Sequence, residues 1–337
     1  MRFALIGAGA IGTVHARLIE ALGNAAELVA VVDQDLDRAG KLVEQYGGQA
    51  FATPAEAYAA SSADAVSICL PSALHAENAI EALQAGKHVI VEKPVDISLE
   101  AADRLIEAQR ATGLTVSVIS QRRFQPPVAQ IRTAIDTGAL GRVTSGISES
   151  AFFRPQSYYD GDDWRGTLAI DGGGALMNQG IHALDLLVWM LGRPVQVSAQ
   201  TGMLAHSGIE VEDLAGASIL FESGAIGLLL ASTAAYPGRP VRLTIHGDQG
   251  TAVLDDDQLA YFASAEGGEP EAPVLEGPDD WGPVELAHLA QYRDFIAAVR
   301  DGRAPAVSLE TGRRSLATVL AVYESARLGR PVELKEN

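Results

Sequence analysis

"LIGAGAIGTVHARLIEALG", residues 5–23, decides the fold. An apolar run ends at Gly7, glycines follow at positions 9 and 12, and Ile11, Val14, Leu18 and Leu22 then recur at helical spacing. Gly23-Asn24 supplies the stop. In a strand–turn–helix of this kind the first glycine permits the tight turn. The second lets a pyrophosphate approach the backbone, and the third lets the helix pack closely on the strand. The helix amino terminus adds unpaired N–H groups that attract negative charge. Gly7, Gly9, Ala10, Ile11 and Gly12 are therefore the expected cofactor-binding stretch. Asp33 closes the next apolar run, "ELVAVVD", about 20 residues further on, where a carboxylate accepts from an adenosine ribose. The plainer reading is that Asp33 caps the helix starting near Leu36. A carboxylate there repels a 2′-phosphate, and the nearest arginine, Arg38, lies five residues on. NAD is favoured over NADP.

Outward from this stretch, "DAVSICLP", "KHVIVE" and "LTVSVIS" repeat the pattern of short apolar runs, with helical segments between them each ended by glycine. Near-continuous apolar strands separated by helices imply a parallel sheet covered on both faces, an α/β Rossmann domain over 1–120. By the rule that ligands sit at strand carboxyl ends, Pro71 and Ser72 line the dinucleotide crevice. His75 is either a cofactor contact or a structural residue of the following helix. "VIVEKPV", 89–95, brings Glu92 and Lys93 to another strand end before Pro94. That is either a polar turn or a held ammonium, since a residue before proline is pushed to extended geometry.

Beyond residue 120 the runs "RVTSGISES", "PVQVSAQTG", "AGASILFES", "GAIGLLLAST", "VRLTIHG" and "TAVLDD" are joined by short turns. This spacing predicts a largely antiparallel sheet in an α+β domain over 121–337. Segment 264–284, rich in Pro, Gly and acid, reads as a surface excursion. Two closing helices follow, near 285–300 and 309–328, and could pack back on the first domain. In "DGGGALMNQGIHALDLLVWMLGRP", Met177, Ile181, Leu184, Val188 and Leu191 form an apolar stripe. Asn178, His182 and Asp185 share the opposite face, either as a solvated stripe or as a site. Aromatics interleaved with Arg154 and Arg165 over 151–174 suit a polyol pocket or, more plainly, a surface loop.

The chain of 337 residues is 47% hydrophobic and 20% charged, ordinary for a packed domain pair. Its net charge of −18, from 25 basic and 43 acidic side chains, excludes nucleic acid and anionic membrane surfaces as expected partners. Cys69 is the only cysteine, which fits a reducing, cytoplasmic setting. The amino terminus leaves no room for a secretory signal, and no apolar run reaches the ~20 residues that span a bilayer. No metal site is expected.

Together, "GAGAIGTVHA", "PSALHAENAIEALQAGKHVIVEKP", "QRRF" and "GGGALMNQGIHALDLL" resemble the Gfo/Idh/MocA oxidoreductase family over nearly the whole chain. The resemblance implies a Rossmann domain followed by an α+β domain whose open, largely antiparallel sheet pairs subunits into homodimers or homotetramers. It implies NAD(P)-dependent oxidation of a sugar or cyclitol hydroxyl, or the reverse. Lys93 takes the place of the catalytic or substrate-binding lysine, preceding a proline whose peptide is often cis in the family. Glu92 contacts the cofactor ribose or orients Lys93. His182 takes the place of the acid/base histidine. Its usual aspartate partner one turn earlier is here Asn178, an amide that orients a substrate hydroxyl but cannot ionise. Asp185 is a further brace for His182. Trp164 and Arg165 are placed near the nicotinamide or the substrate, with Arg123 and Tyr159 as further pocket residues. The resemblance also covers NAD-dependent glycosidases, and a non-catalytic dinucleotide-binding regulator is the remaining alternative.

Overall fold

The computed structural model describes residues 1–161, 164–265 and 267–334. The chain forms two compact units, 1–121 with 276–313, and 122–275 with the segment from Arg314 onward.

The first unit is built on six parallel strands: β1 (Arg2–Ile6), β2 (Glu27–Val32), β3 (Gln49–Phe51), β4 (Ala65–Ile68), β5 (His88–Val91) and β6 (Val116–Val118). Their order is β3-β2-β1-β4-β5-β6, every pair parallel. The winding reverses between β1 and β4, and the crevice at such a switch point is where open α/β sheets take ligands. Helices Ala10–Ala21 and Leu36–Tyr46 follow β1 and β2, and His75–Gln84 and Leu99–Thr112 follow β4 and β5. The helix Pro283–Asp301 returns to this unit, packing on Ala10–Ala21 and burying Leu289, Tyr292 and Phe295 with Phe3 and Leu18. β3 has no counterpart among the runs read from sequence, because "QAF" is too short to show a period.

The second unit holds an eight-stranded sheet: β7 (Val143–Ala151), β8 (Pro194–Gly202), β9 (Leu214–Phe221), β10 (Ile226–Ser232), β11 (Arg242–Gly247), β12 (Gly250–Asp255), β13 (Gln258–Ser264) and β14 (Val332–Glu333). The order is β13-β12-β11-β7-β10-β9-β8-β14. All pairs are antiparallel except β10 with β7, so the sheet is mixed at its centre. The helix Ile181–Leu191 lies on one face. A Cβ at Gly146 would stand 2.8 Å from Leu187 and 2.9 Å from Leu191, so the missing side chain is what seats the helix. On the opposite face Ile147, Leu220, Ile226, Leu228 and Leu230 are exposed. After β13, residues 267–282 carry no helix or strand and are mostly exposed, with Glu266 outside the described residues.

Candidate active site

In the first unit the glycine loop is fixed by contact. Gly7 has φ +99°, and a Cβ there would lie 2.4 Å from the Cys69 carbonyl oxygen. A Cβ at Gly12 would lie 2.0 Å from the Gly7 carbonyl oxygen. Around Gly9 a Cβ would meet nothing within 4 Å. Gly9 also caps the helix Ala10–Ala21 without any side-chain bond, which leaves its first N–H groups facing the loop. Protein packing thus requires glycine at 7 and 12, whereas position 9 is kept clear for something outside the chain. A dinucleotide pyrophosphate fits that cradle. The expected outcome is asymmetric. Gly12→Ala destabilises the protein by about 1–3 kcal/mol, as overpacking does. Gly9→Ala leaves the melting temperature in place and weakens NADH binding at least about tenfold, a loss of about 1.4 kcal/mol. Paired thermal melts and NADH fluorescence titrations check both.

Asp33 follows β2 and its side chain is nearly buried. One oxygen accepts the Ala8 N–H at 2.9 Å and the other the Asp35 N–H at 2.9 Å. It does not cap the next helix, because Asp35 does that by accepting from Asp37 and Arg38. The carboxylate is therefore tied to the glycine loop and aimed by it. The Arg38 guanidinium turns back to within 3.4 Å of Asp33, closer than its place in sequence suggests, while binding Asp35 at 3.1 Å.

Pro71 and Ser72 stand directly after β4, with Ser72 buried. His75, read as a cofactor contact or a structural residue, is 1% exposed. Nδ1 lies 2.6 Å from the Pro94 carbonyl and Nε2 2.7 Å from that of Leu70. The ring staples the turn after β4 to the turn after β5. Burial lowers its pKa against the pull of those two carbonyls.

Glu92 is likewise buried. It is 5% exposed, one oxygen accepts the Lys93 N–H at 2.9 Å, and the other lies 3.2 Å from His15 Nε2. Of the two roles expected, orienting Lys93 is the one its geometry serves. The Lys93–Pro94 peptide is cis, and Lys93 itself is half-buried at the end of β5.

In the second unit the helix carrying His182 opens with a π turn, Ala175–Gly180, and becomes α-helical at Ile181. The regular stacking of Asn178 under His182 is replaced by a wider turn, a distortion common at functional sites. Glu212 anchors this start. Its carboxylate accepts the Gly174 N–H at 2.9 Å, the Leu176 N–H at 2.8 Å and the Tyr323 hydroxyl at 2.9 Å. Burial raises its pKa, and the backbone N–H groups oppose that. Asn178 donates to Asp171 at 2.8 Å, and Asp171 also accepts the Gly166 N–H at 3.0 Å. Asp171, Glu212 and Tyr323 were not among the sequence candidates. Only Asp171, directly before three glycines, carried a local signal.

Asp185, expected as a further brace for His182, has partners of its own. It is buried and takes the Arg123 guanidinium through two bonds of 2.7 Å, with the Ser315 hydroxyl at 2.7 Å. Arg123 also lies 4.9 Å from the Trp189 ring centre. Arg123 is thus one arm of a buried ion pair. Tyr159 is buried as well: its hydroxyl meets Thr233 at 2.8 Å and its ring packs with Ile209 and Val211. Arg165 stands over the Tyr158 ring at 4.4 Å and the Trp164 ring at 4.8 Å, while residues 162 and 163 of this segment fall outside the described residues.

Residues 1–120 match the family model described as "Oxidoreductase family, NAD-binding Rossmann fold", and residues 128–253 match the GFO/IDH/MocA C-terminal domain. The chain is 29% identical to the myo-inositol 2-dehydrogenase of Thermotoga maritima, over 100% of this chain and 99% of that one. It is 30% identical to the inositol 2-dehydrogenase of Rhizobium meliloti over 99% of each. Among solved structures, the WlbA dehydrogenase from Bordetella pertussis in complex with NADH and UDP-GlcNAcA superimposes with a TM-score of 0.90. The two are 32% identical, over 100% of this chain and 98% of that one. With the glycine cradle, the aimed Asp33 and the clamped Lys93 turn in place, the chain belongs to the Gfo/Idh/MocA oxidoreductases, a family of two-domain proteins with an NAD-binding Rossmann fold.

Proposed function

We propose that the protein is an NAD-dependent dehydrogenase of a CH–OH group in a sugar, sugar derivative or cyclitol. The observation that carries this is the Lys93 turn. It sits at the carboxyl end of β5, whose neighbour β4 pairs with β1, the strand that leads into the glycine loop. The nicotinamide, when bound, supplies the hydride acceptor. Lys93 accepts the hydroxyl proton, supported by the hold that Glu92 keeps on its backbone. His182, at the family's histidine position, grips the substrate hydroxyl. Asn178, fixed by Asp171, orients a second hydroxyl. Arg165 with Trp164 lines the cofactor or substrate side. The inositols and the nucleotide-linked sugar acid in the relatives' names support the substrate class. A panel of polyols, aldoses and uronates, assayed with NAD and NADP separately, tests the reading. If NADP is used markedly better, the role of Asp33 is wrong.

The exposed row Ile147, Ile226, Leu228 and Leu230 supports self-association into a homodimer or homotetramer through this sheet face. Light scattering is expected to give a multiple of the 35.3 kDa chain mass, reduced to one chain by Leu228→Glu. A monomeric parent protein would contradict it. A cytoplasmic location is proposed with the chemistry, which draws on a nicotinamide pool, and cell fractionation tests it. Among the described residues no helix is long and apolar enough to cross a membrane.

A further inference from the structure

We propose that His15 is a positioning residue for the reaction: as a buried imidazolium it keeps Glu92 ionised and so fixes the turn that presents Lys93. This rests on the reading that Lys93 does the chemistry.

His15, Glu92 and His288 are all buried, with one donor atom from each within 4.8 Å of the others. A carboxylate in such a place is costly unless a cation faces it. The groups around Glu92 come from every neighbouring element. The helix Ala10–Ala21 brings His15, and Pro283–Asp301 brings His288 and Tyr292. Ser67 of β4 bonds His15 and lies 3.7 Å from Cys69, while His75 of the next helix feels the charges of both Glu92 and Asp96. Lys93 itself is adjacent in sequence.

Hydrogen bonding separates the two nearest imidazoles. His288 Nε2 is buried with no hydrogen-bond partner, so an added proton there would have no acceptor. Burial pushes its pKa down to about 3, with repulsion from His15 adding to the fall. His15 differs at both nitrogens. Nε2 lies 3.2 Å from the Glu92 carboxylate, and Nδ1 has the Ser67 and Tyr292 hydroxyls at 2.8 Å and 2.7 Å. Both protons of an imidazolium therefore have acceptors. Burial works against the charge, and the Glu92 carboxylate beside it favours the charge and raises the His15 pKa. Glu92 is lowered in turn, because His15 and then Lys93 overcome the effect of burial. His288 stands neutral, edge-on to His15 at 4.9 Å.

The arrangement runs from His15 at one Glu92 oxygen to the Lys93 N–H at the other. Removing the His15 charge leaves Glu92 to take up a proton. The turn then loses its anion, and the neighbouring ammonium releases its proton more readily.

The test compares His15→Phe, Glu92→Gln and the double variant on a substrate found in the panel. The acid limb of kcat against pH is expected to move about one unit lower in each single variant. The double variant should move no further than either single one, because both act through one charge. Additive shifts, or a lowered kcat with the limb unmoved, would overturn the proposal. Should His15→Phe fail to fold, the wild-type protein decides alone. Imidazole ¹⁵N shifts should show both His15 nitrogens protonated from about pH 6 to about 8. A neutral tautomer would sink the idea, as would a stoichiometric metal in the purified protein, since a ligating His15 cannot hold both protons. If Lys93→Ala retains turnover while the ¹⁵N result stands, the catalytic reading has failed and the charge assignment has not.

Discussion

Replacing Lys93 with Ala lowers kcat by about 10²–10⁴-fold, the range for loss of a positioned acid/base group. The affinity for NADH changes far less, because the cradle at Gly7, Gly9 and Gly12 is untouched. The reason lies in how the turn is built. Glu92 holds the Lys93 N–H at 2.9 Å from a buried position, and the His75 ring holds the Pro94 carbonyl at 2.6 Å. The backbone on both sides of the peptide is therefore anchored, and little but the side chain changes in the variant. Steady-state kinetics with an NADH titration in parallel separate the two effects. Turnover within tenfold of the parent protein removes Lys93 from the chemistry. A matched loss of NADH affinity would instead make it a cofactor residue.

Arg123→Ala destabilises the second unit by about 3–5 kcal/mol, the usual result of stripping one partner from a buried ion pair. Asp185 would keep the Ser315 hydroxyl at 2.7 Å but lose the cation that offsets its charge. Replacing both members, as in Arg123→Met with Asp185→Leu, should recover much of the loss, because two well-packed apolar groups need no desolvation. Urea unfolding followed by circular dichroism measures both variants. A substrate role for Arg123 would show the reverse pattern, with KM raised and stability unchanged.

The local features were legible. Gly7, Gly9 and Gly12 act within one strand–turn–helix, so their spacing carried their meaning, and Asp33 closed the next strand where the rule places it. Most strands of both sheets announced themselves as apolar runs, whereas β3, β13 and β14 did not: "QAF" and the two-residue β14 were too short, and no residue of β13 is buried. The parallel pairing of β10 with β7 depends on contacts far apart in sequence, so the expectation of antiparallel neighbours missed it. Side-chain destinations were the least readable part. Arg123 finds Asp185 across 62 residues and Asn178 finds Asp171 across seven. Glu212 reaches back to the glycines before the π turn. Residue type suggested that Arg123 and Tyr159 grip substrate, and it gave no sign of their buried partners, Asp185 and Thr233, which lie far off in sequence. Nor did it show His15 behind Glu92.

The central claim is that this chain oxidises a polyol or sugar carbinol with NAD. The most direct measurement is NADH absorbance during incubation with the polyol, aldose and uronate panel. Substrate-dependent growth of that band with NAD, absent in Lys93→Ala, is the expected result. No growth with any member of the panel, in protein shown by titration to bind NADH, would contradict it.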